Sequence, residues 1–241
     1  MNKKEIYNEI YQSYLVFMDN VETNYKNNHS LLEDITKKYA TTFTTSFGKE
    51  DQAITDLIVK NKWPVKIVTI DTGRLFNETY SLHRRTNDQY KIKIESVFPD
   101  TNELEKLIRK KGPDSFYDSV ENRKECCEIR KVHPLKKTLG GFTVWITGIR
   151  KAQSTERSNL DMIEFDEAHQ VVKIHPLLNW SDDDLEKYIE ENKVPVSILH
   201  SKGYPSIGCA PCTRATLPGE DPRAGRWSWE NGAKECGLHT H

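Results

Sequence analysis

Five cysteines stand at positions 126, 127, 209, 212 and 236, and their spacing divides them into a set of four and one left over. The last lies in the tail Glu235-Cys236-Gly237-Leu238-His239. Terminal segments are seldom packed into a core. A thiol there is either a surface side chain without a role or a nucleophile on a flexible tail that closes over a bound substrate. His239 favours the second reading, because a nearby histidine or cation makes a thiol more acidic and the thiolate is the reactive form.

Three readings compete for the set of four, Cys126-Cys127 and Cys209-x-x-Cys212. A disulfide between adjacent cysteines is strained, and a reducing compartment opposes it. A structural zinc needs four thiolates at about 2.3 Å around one ion, which adjacent residues can hardly supply. A cubane iron–sulfur cluster takes one thiolate per iron, so neighbouring cysteines can reach different irons. The tandem pair favours the cluster, and zinc is the alternative.

A second constellation is basic. Arg130 and Lys131 follow the cysteine pair, Arg150 and Arg157 follow an apolar run, Arg214 follows the CxxC, and Arg223 and Arg226 lie beyond it. Any one of them alone is a solvated surface charge. Their grouping beside cysteines and a strand end fits a phosphate or sulfate site, since guanidinium forks match such oxygens. The segment SFGKED, between a strand-like run and a helix-like one, reads as an anion-binding turn. Ser46 offers a hydroxyl to donate, Gly48 lets the backbone approach, and the helix N-terminus adds free N–H groups.

The elements that must position these groups alternate. Residues 3–40 show helical spacing (Ile6, Ile10, Tyr14, Phe17, then Leu31, Leu32, Ile35) and read as an N-terminal helical cap. Strands are expected over 41–47, 65–71, 92–98, 142–149 and 171–174, with helices between them and a last helix from Ser181 to about residue 192. Residues 153–166 are too charged for a core and read as a loop over the site. The pattern predicts one doubly wound, mainly parallel α/β sheet over 41–200, followed by a Gly- and Pro-rich segment at 201–241 that carries the CxxC and the tail. Asp71 and Gly148 fall at strand carboxyl ends, where open sheets bind ligands.

The chain has 241 residues, 36% hydrophobic and 29% charged, with net charge −1. That argues against a general nucleic-acid binder. No apolar run is long enough for a bilayer, and the N-terminus lacks a secretory-type apolar stretch. A cytoplasmic protein with reduced thiols is the expectation.

Taken together, the motifs resemble the assimilatory adenylyl-sulfate and phosphoadenylyl-sulfate reductases, which have the adenine-nucleotide α-hydrolase-like fold. SFGKED resembles their phosphate-binding loop, IDTGRLFNET the next strand-end motif, and WITGIRKAQSTER the arginine loop; CTRATLPGEDPRAGRWSWE and ECGLH resemble the C-terminal signatures. The resemblance runs from Thr41 to the tail. It implies a [4Fe–4S] cluster on Cys126, Cys127, Cys209 and Cys212. It also implies adenosine 5′-phosphosulfate (APS) as substrate, with the 3′-phosphorylated form (PAPS), or both, as the alternative. By the same resemblance the nucleoside lies near Ser46, Gly48, Asp71 and Gly148. Lys131, Arg157, Arg223 and Arg226 hold the phosphosulfate, His239 helps from the tail, and Arg150 is a further substrate-binding residue. Cys236 becomes an S-sulfocysteine that thioredoxin or glutaredoxin reduces. The family is often oligomeric. Two positions depart from its pattern: Lys49 follows the loop glycine, and Ser228 stands where tryptophan is common. A zinc-stapled nucleotide-binding module without turnover is the reading from another class.

Overall fold

The computed structural model describes residues 2–20, 28–153 and 159–230. Six strands form one sheet in the order β3-β2-β1-β4-β6-β5. Its strands are β1 (Thr41–Thr44), β2 (Val65–Ile70), β3 (Glu95–Val97), β4 (Val144–Ile146), β5 (Ile163–Asp166) and β6 (Val171–Ile174). All pairings are parallel except β5 against β6. The central strands are short and buried on both faces, as parallel strands covered by helices must be. Winding proceeds from β1 through β2 to β3 on one side and from β4 to β6 on the other. The strand order therefore reverses between β1 and β4, where open sheets leave a crevice.

Eight helices accompany the sheet among the described residues: α1 (Lys3–Asn20), α2 (His29–Lys38), α3 (Lys49–Lys60), α4 (Asn77–Tyr90), α5 (Thr101–Lys111), α6 (Val120–Cys127), α7 (His133–Leu139) and α8 (Asp182–Asn192). Helix α8 starts with a capping box, the Ser181 side chain accepting from the Asp184 N–H and Asp184 accepting from the Ser181 N–H. The helical reading of the N-terminal stretch holds for α1 and α2. Ile6 and Ile10 of α1 enter the same apolar core as the sheet, and the Tyr7 ring packs on Phe165 of β5.

The charged stretch expected to be a loop contains β5 instead. Ile163 is buried in the core, Glu164 is partly buried on the opposite face against His175, and a turn at 167–170 returns the chain into β6. The turn is stabilised by Asp166, which accepts from the backbone and ring of His169, and by Gln170 at φ 53°. The acidic residues Glu164 and Asp166 masked the two-residue alternation.

Between α6 and α7 the helix widens into a π segment, Glu128–Val132. Pro134 has no N–H to give, and its ring would crowd the Arg130 carbonyl four residues earlier, so the ladder must open there. No helix is long and apolar enough to cross a membrane among the described residues.

Asp56, 1% exposed, ties three helices together. Its carboxylate accepts from Tyr90 Oη of α4 at 2.9 Å, Tyr188 Oη of α8 at 2.6 Å and Lys60 Nζ at 2.8 Å. Asp56→Ala leaves these donors without their acceptor and is expected to lower stability by about 3 kcal/mol, read as a fall in the urea midpoint. An unchanged midpoint contradicts this role.

Candidate active site

The loop after β1 turns on itself. Phe47 takes φ 63°, and its ring packs on His83 with centroids 5.0 Å apart. This places the Asp51 carboxylate, from the first turn of α3, under the loop. Asp51 Oδ2 accepts from Ser46 N at 2.6 Å and from Ser46 Oγ at 2.7 Å, and the Gly48 N–H also bonds this side chain. Phe47 N donates to Thr45 Oγ1 at 3.0 Å. The N–H groups of Ser46, Phe47 and Gly48 are thus taken by the loop's own side chains. The Ser46 hydroxyl donates inward and does not offer its proton to a ligand. Glycine spacing alone gave no sign of a carboxylate folding back to fill the turn.

Burial pushes the Asp51 carboxyl up to about 6, although the bonds from Ser46 pull the other way. The carboxylate also explains a glycine at the end of β4: a Cβ on Gly148 would lie 2.4 Å from Asp51 Oδ1.

Over the carboxyl ends of β1, β2 and β4 lies a cleft of about 720 Å³. It brings together Ser46, Gly48, Gly148, Lys131, Arg223 and Arg226. Asp71 is not among its lining residues; its carboxylate accepts from Gly73 N at 2.8 Å and Tyr80 Oη at 2.9 Å, closing the turn after β2. Arg150 lines the cleft but is engaged by protein partners. Its Nε and Nη2 donate to Glu50 Oε1 at 3.0 and 2.8 Å, Nη2 to Asp182 Oδ1 at 2.7 Å, and Nη1 to the Trp180 carbonyl at 3.1 Å. It joins α3 to the start of α8. Lys49 pairs with Glu186, and Ser228 is exposed. Arg157, Cys236 and His239 lie outside the described residues.

Next to the cleft, Cys126, Cys127, Cys209 and Cys212 line one small pocket, all as reduced thiols. Lys131 and Trp227 line both cavities. Arg130, in the π segment, donates from Nη1 to the Thr72 carbonyl at 2.6 Å, and Thr72 Oγ1 is 3.2 Å from Cys209 Sγ. Helix α6 and the 209–212 turn are thereby fastened to the end of β2. A Cβ on Gly208 would sit 2.3 Å from Arg226 Nη2, so glycine there makes room for that guanidinium. Arg123, 2% exposed, forks onto Glu230 through Nε at 3.0 Å and Nη2 at 2.9 Å and stacks on Trp227, which holds the chain next to the thiols. Sequence reading passed over Asp51, Arg123, Gly208, Trp227 and Glu230; the bulky Trp227 beside Arg226 was the one visible signal.

The thiols differ electrostatically. Burial raises the Cys209 thiol, but Lys131, the Thr72 hydroxyl, Arg226 and Arg130 outweigh it, so the net shift is downward. Burial, then the Cys209 thiol, push Cys212 up to about 12. Burial raises Cys126 as well, with Arg130 opposing. Among the described residues no group of three or more His, Cys, Asp or Glu side chains could hold a single metal ion. The pocket offers four reduced thiols, and two residues of its wall, Arg130 and Trp227, have buried nitrogens, Nε and Nε1, without a hydrogen-bond partner. Bridging sulfides accept such bonds.

A cleft at the reversal point of a parallel sheet, with basic side chains beside it, defines a nucleotide-binding α/β protein of the adenine-nucleotide α-hydrolase-like type. The phosphoadenosine phosphosulfate reductase domain family matches residues 40–215, and the chain belongs to that family. An adenosine 5′-phosphosulfate reductase of Agrobacterium fabrum is 47% identical over 82% of this chain and 76% of its own length. One from Allochromatium vinosum is 46% identical over 82% and 77%. The crystal structure of a phosphoadenylyl-sulfate reductase from Candida auris, a phosphate complex, superimposes with TM-score 0.64 at 29% identity, covering 80% of this chain and 98% of that one. An FMN adenylyltransferase of Candida glabrata shares the fold alone, with TM-score 0.55 at 17% identity over 88% and 74%.

Asp51 sets a pH dependence. Its folded value, about 6, stands above the ordinary 3.8, so its favourable contribution is complete below about 4 and is lost as pH rises through 6. A difference of this size corresponds to about 3 kcal/mol. Asp51→Asn has no charge to desolvate, so its melting temperature is expected to gain on the parent's as pH rises from 4 to 7. A difference that does not change with pH contradicts the buried charge.

Proposed function

We propose that the chain is an oxidoreductase of sulfate assimilation that reduces APS to sulfite and AMP. The observation that carries this reading is the shared wall: Lys131 lines both the cleft and the pocket of four thiols. A nucleotide's phosphosulfate end in the cleft would meet Lys131, Arg223 and Arg226. The names of the relatives support APS in particular.

In the proposed reaction the Cys236 thiolate attacks the sulfur of the sulfo group. A sulfur–sulfur bond forms, the bond from sulfur to the bridging phosphate oxygen breaks, and AMP leaves with that electron pair. A dithiol protein of the thioredoxin or glutaredoxin class then attacks Sγ of Cys236. Sulfite departs, Cys236 returns as a thiol, and the partner's two thiols become a disulfide. Lys131, Arg223 and Arg226 neutralise the charge that develops on the phosphate and orient the sulfo group. The leaving group is a phosphate, which needs cationic stabilisation more than a proton.

Cys126, Cys127, Cys209 and Cys212 would hold a [4Fe–4S] cluster. When bound, such a group supplies local charge and a crosslink between α6 and the 209–212 turn. Reduced thiols suit the cytoplasm.

The test is sulfite release. Protein purified without oxygen is expected to contain iron and acid-labile sulfide and to release sulfite from APS with thioredoxin, faster than from PAPS. Cys236→Ser abolishes release and keeps the iron. Turnover surviving in Cys236→Ser, or sulfite formed only from PAPS, overturns the assignment.

A further inference from the structure

The chain makes a strained turn just before the tail. Trp227, 1% exposed, has φ 42°, a left-handed backbone that bulky side chains rarely adopt and that persists only where the surroundings enforce it. Before the turn the enforcing contacts are backbone bonds. Arg214 N donates to the Gly225 carbonyl at 3.0 Å, Arg226 N to the Arg223 carbonyl at 2.9 Å and Trp227 N to the Cys212 carbonyl at 3.1 Å. These bonds place Arg226, whose guanidinium lies 4.6 Å from the Trp227 ring centroid.

Beyond the turn the contacts come from side chains. The Glu230 carboxylate, on a side chain 7% exposed, accepts both bonds of the Arg123 fork, and Arg123 stacks on the Trp227 ring at 4.7 Å. The Trp229 ring packs on Tyr117 with centroids 4.5 Å apart, and Tyr117 Oη donates to the Pro211 carbonyl at 2.8 Å. A buried pair of charges gives up its hydration and adds little net stability over apolar packing; what it fixes is one geometry. Neither Glu230 nor Trp229 lines the cleft. What they fix is the place where the tail begins. Glu230 stands four residues after Arg226 and six before Cys236. Six extended residues span at most about 20 Å, so the point of attachment bounds where the thiol can reach.

We propose that Glu230, held by Arg123, and Trp229, held by Tyr117, are positioning residues for the nucleophile. They fasten the base of the tail beside Arg226 and so raise the effective concentration of the Cys236 thiol at the sulfo group, without taking part in nucleotide binding. This rests on the reading of Cys236 as the nucleophile and adds the residues that set its starting point.

Single-turnover release of AMP from APS without reductant, followed against APS concentration and paired with calorimetric AMP binding, tests this on the full chain. Glu230 is changed in preference to Arg123, because Arg123 also bonds the Cys127 thiol. Glu230→Ala and Trp229→Ala are expected to release AMP at least about tenfold more slowly at saturating APS, the cost of a displaced reacting group. Their AMP affinity and iron content stay parental. The binding stoichiometry counts folded sites, so a loss of stability alone leaves the rate per site unchanged. Trp229 is partly exposed, which keeps the test open if the buried Glu230→Ala variant does not fold. A parental saturating rate in either variant, or an AMP affinity that falls along with the rate, overturns the anchoring role and leaves Cys236 as the nucleophile. A parent that binds AMP but releases none from APS overturns the nucleophile reading and the anchor with it.

Discussion

Four thiols in one apolar pocket cannot be buried as anions without cations close by, and that requirement shapes the centre of this molecule. A thiolate transferred out of water is costly unless compensated. Here the compensation comes from Arg130, Lys131 and Arg226, and it is uneven: the Cys209 thiol is lowered while Cys212 is raised. The cations are placed by backbone irregularity. Pro134 forces the π segment that carries Arg130 and Lys131, and Gly208 clears the space for Arg226. Thr72 then links the turn after β2 to the thiols through the Arg130 bond and its contact with Cys209. Strand end, helix and turn converge on one pocket, and its wall is also the wall of the cleft.

The opposite charge logic governs the loop after β1. There a buried carboxylate, Asp51, occupies the backbone N–H groups of Ser46 and Gly48 in the strand-to-helix turn. With that loop filled from within, the proposed phosphosulfate site relies on side chains of the cleft, Lys131, Arg223 and Arg226. Arg150, which looks like one of them by position, is held by Glu50, Asp182 and the Trp180 carbonyl. Lys131 and Arg226 of this cleft lie close enough to the thiols to act on Cys209.

Much of this was legible in the sequence because periodicity and residue spacing report backbone facts. The apolar runs at β2, β4 and β6, the start of α8 at Ser181, and the grouping of Cys126, Cys127, Cys209 and Cys212 were all readable in that way. What was missed depends on where side chains turn. SFGKED looks like an open anion turn until Asp51 is seen folded under it. Asp71 sits at a strand end, as expected, yet its carboxylate closes its own turn and contacts Tyr80. Strand β5 was hidden because Glu164 and Asp166 are charged side chains held by buried partners, His175, His169 and Lys173. Arg123 and Glu230 are 107 residues apart, and no local pattern announces a buried pair at that separation.

Intact-mass measurement of the protein after exposure to APS with no reductant asks most directly whether Cys236 accepts a sulfo group. The expected result is a mass increase of one sulfo group, with release of one equivalent of AMP, in the parent and none in Cys236→Ser. An unmodified parent that has bound APS, or an adduct that persists in Cys236→Ser, would contradict the assignment of Cys236 as the nucleophile.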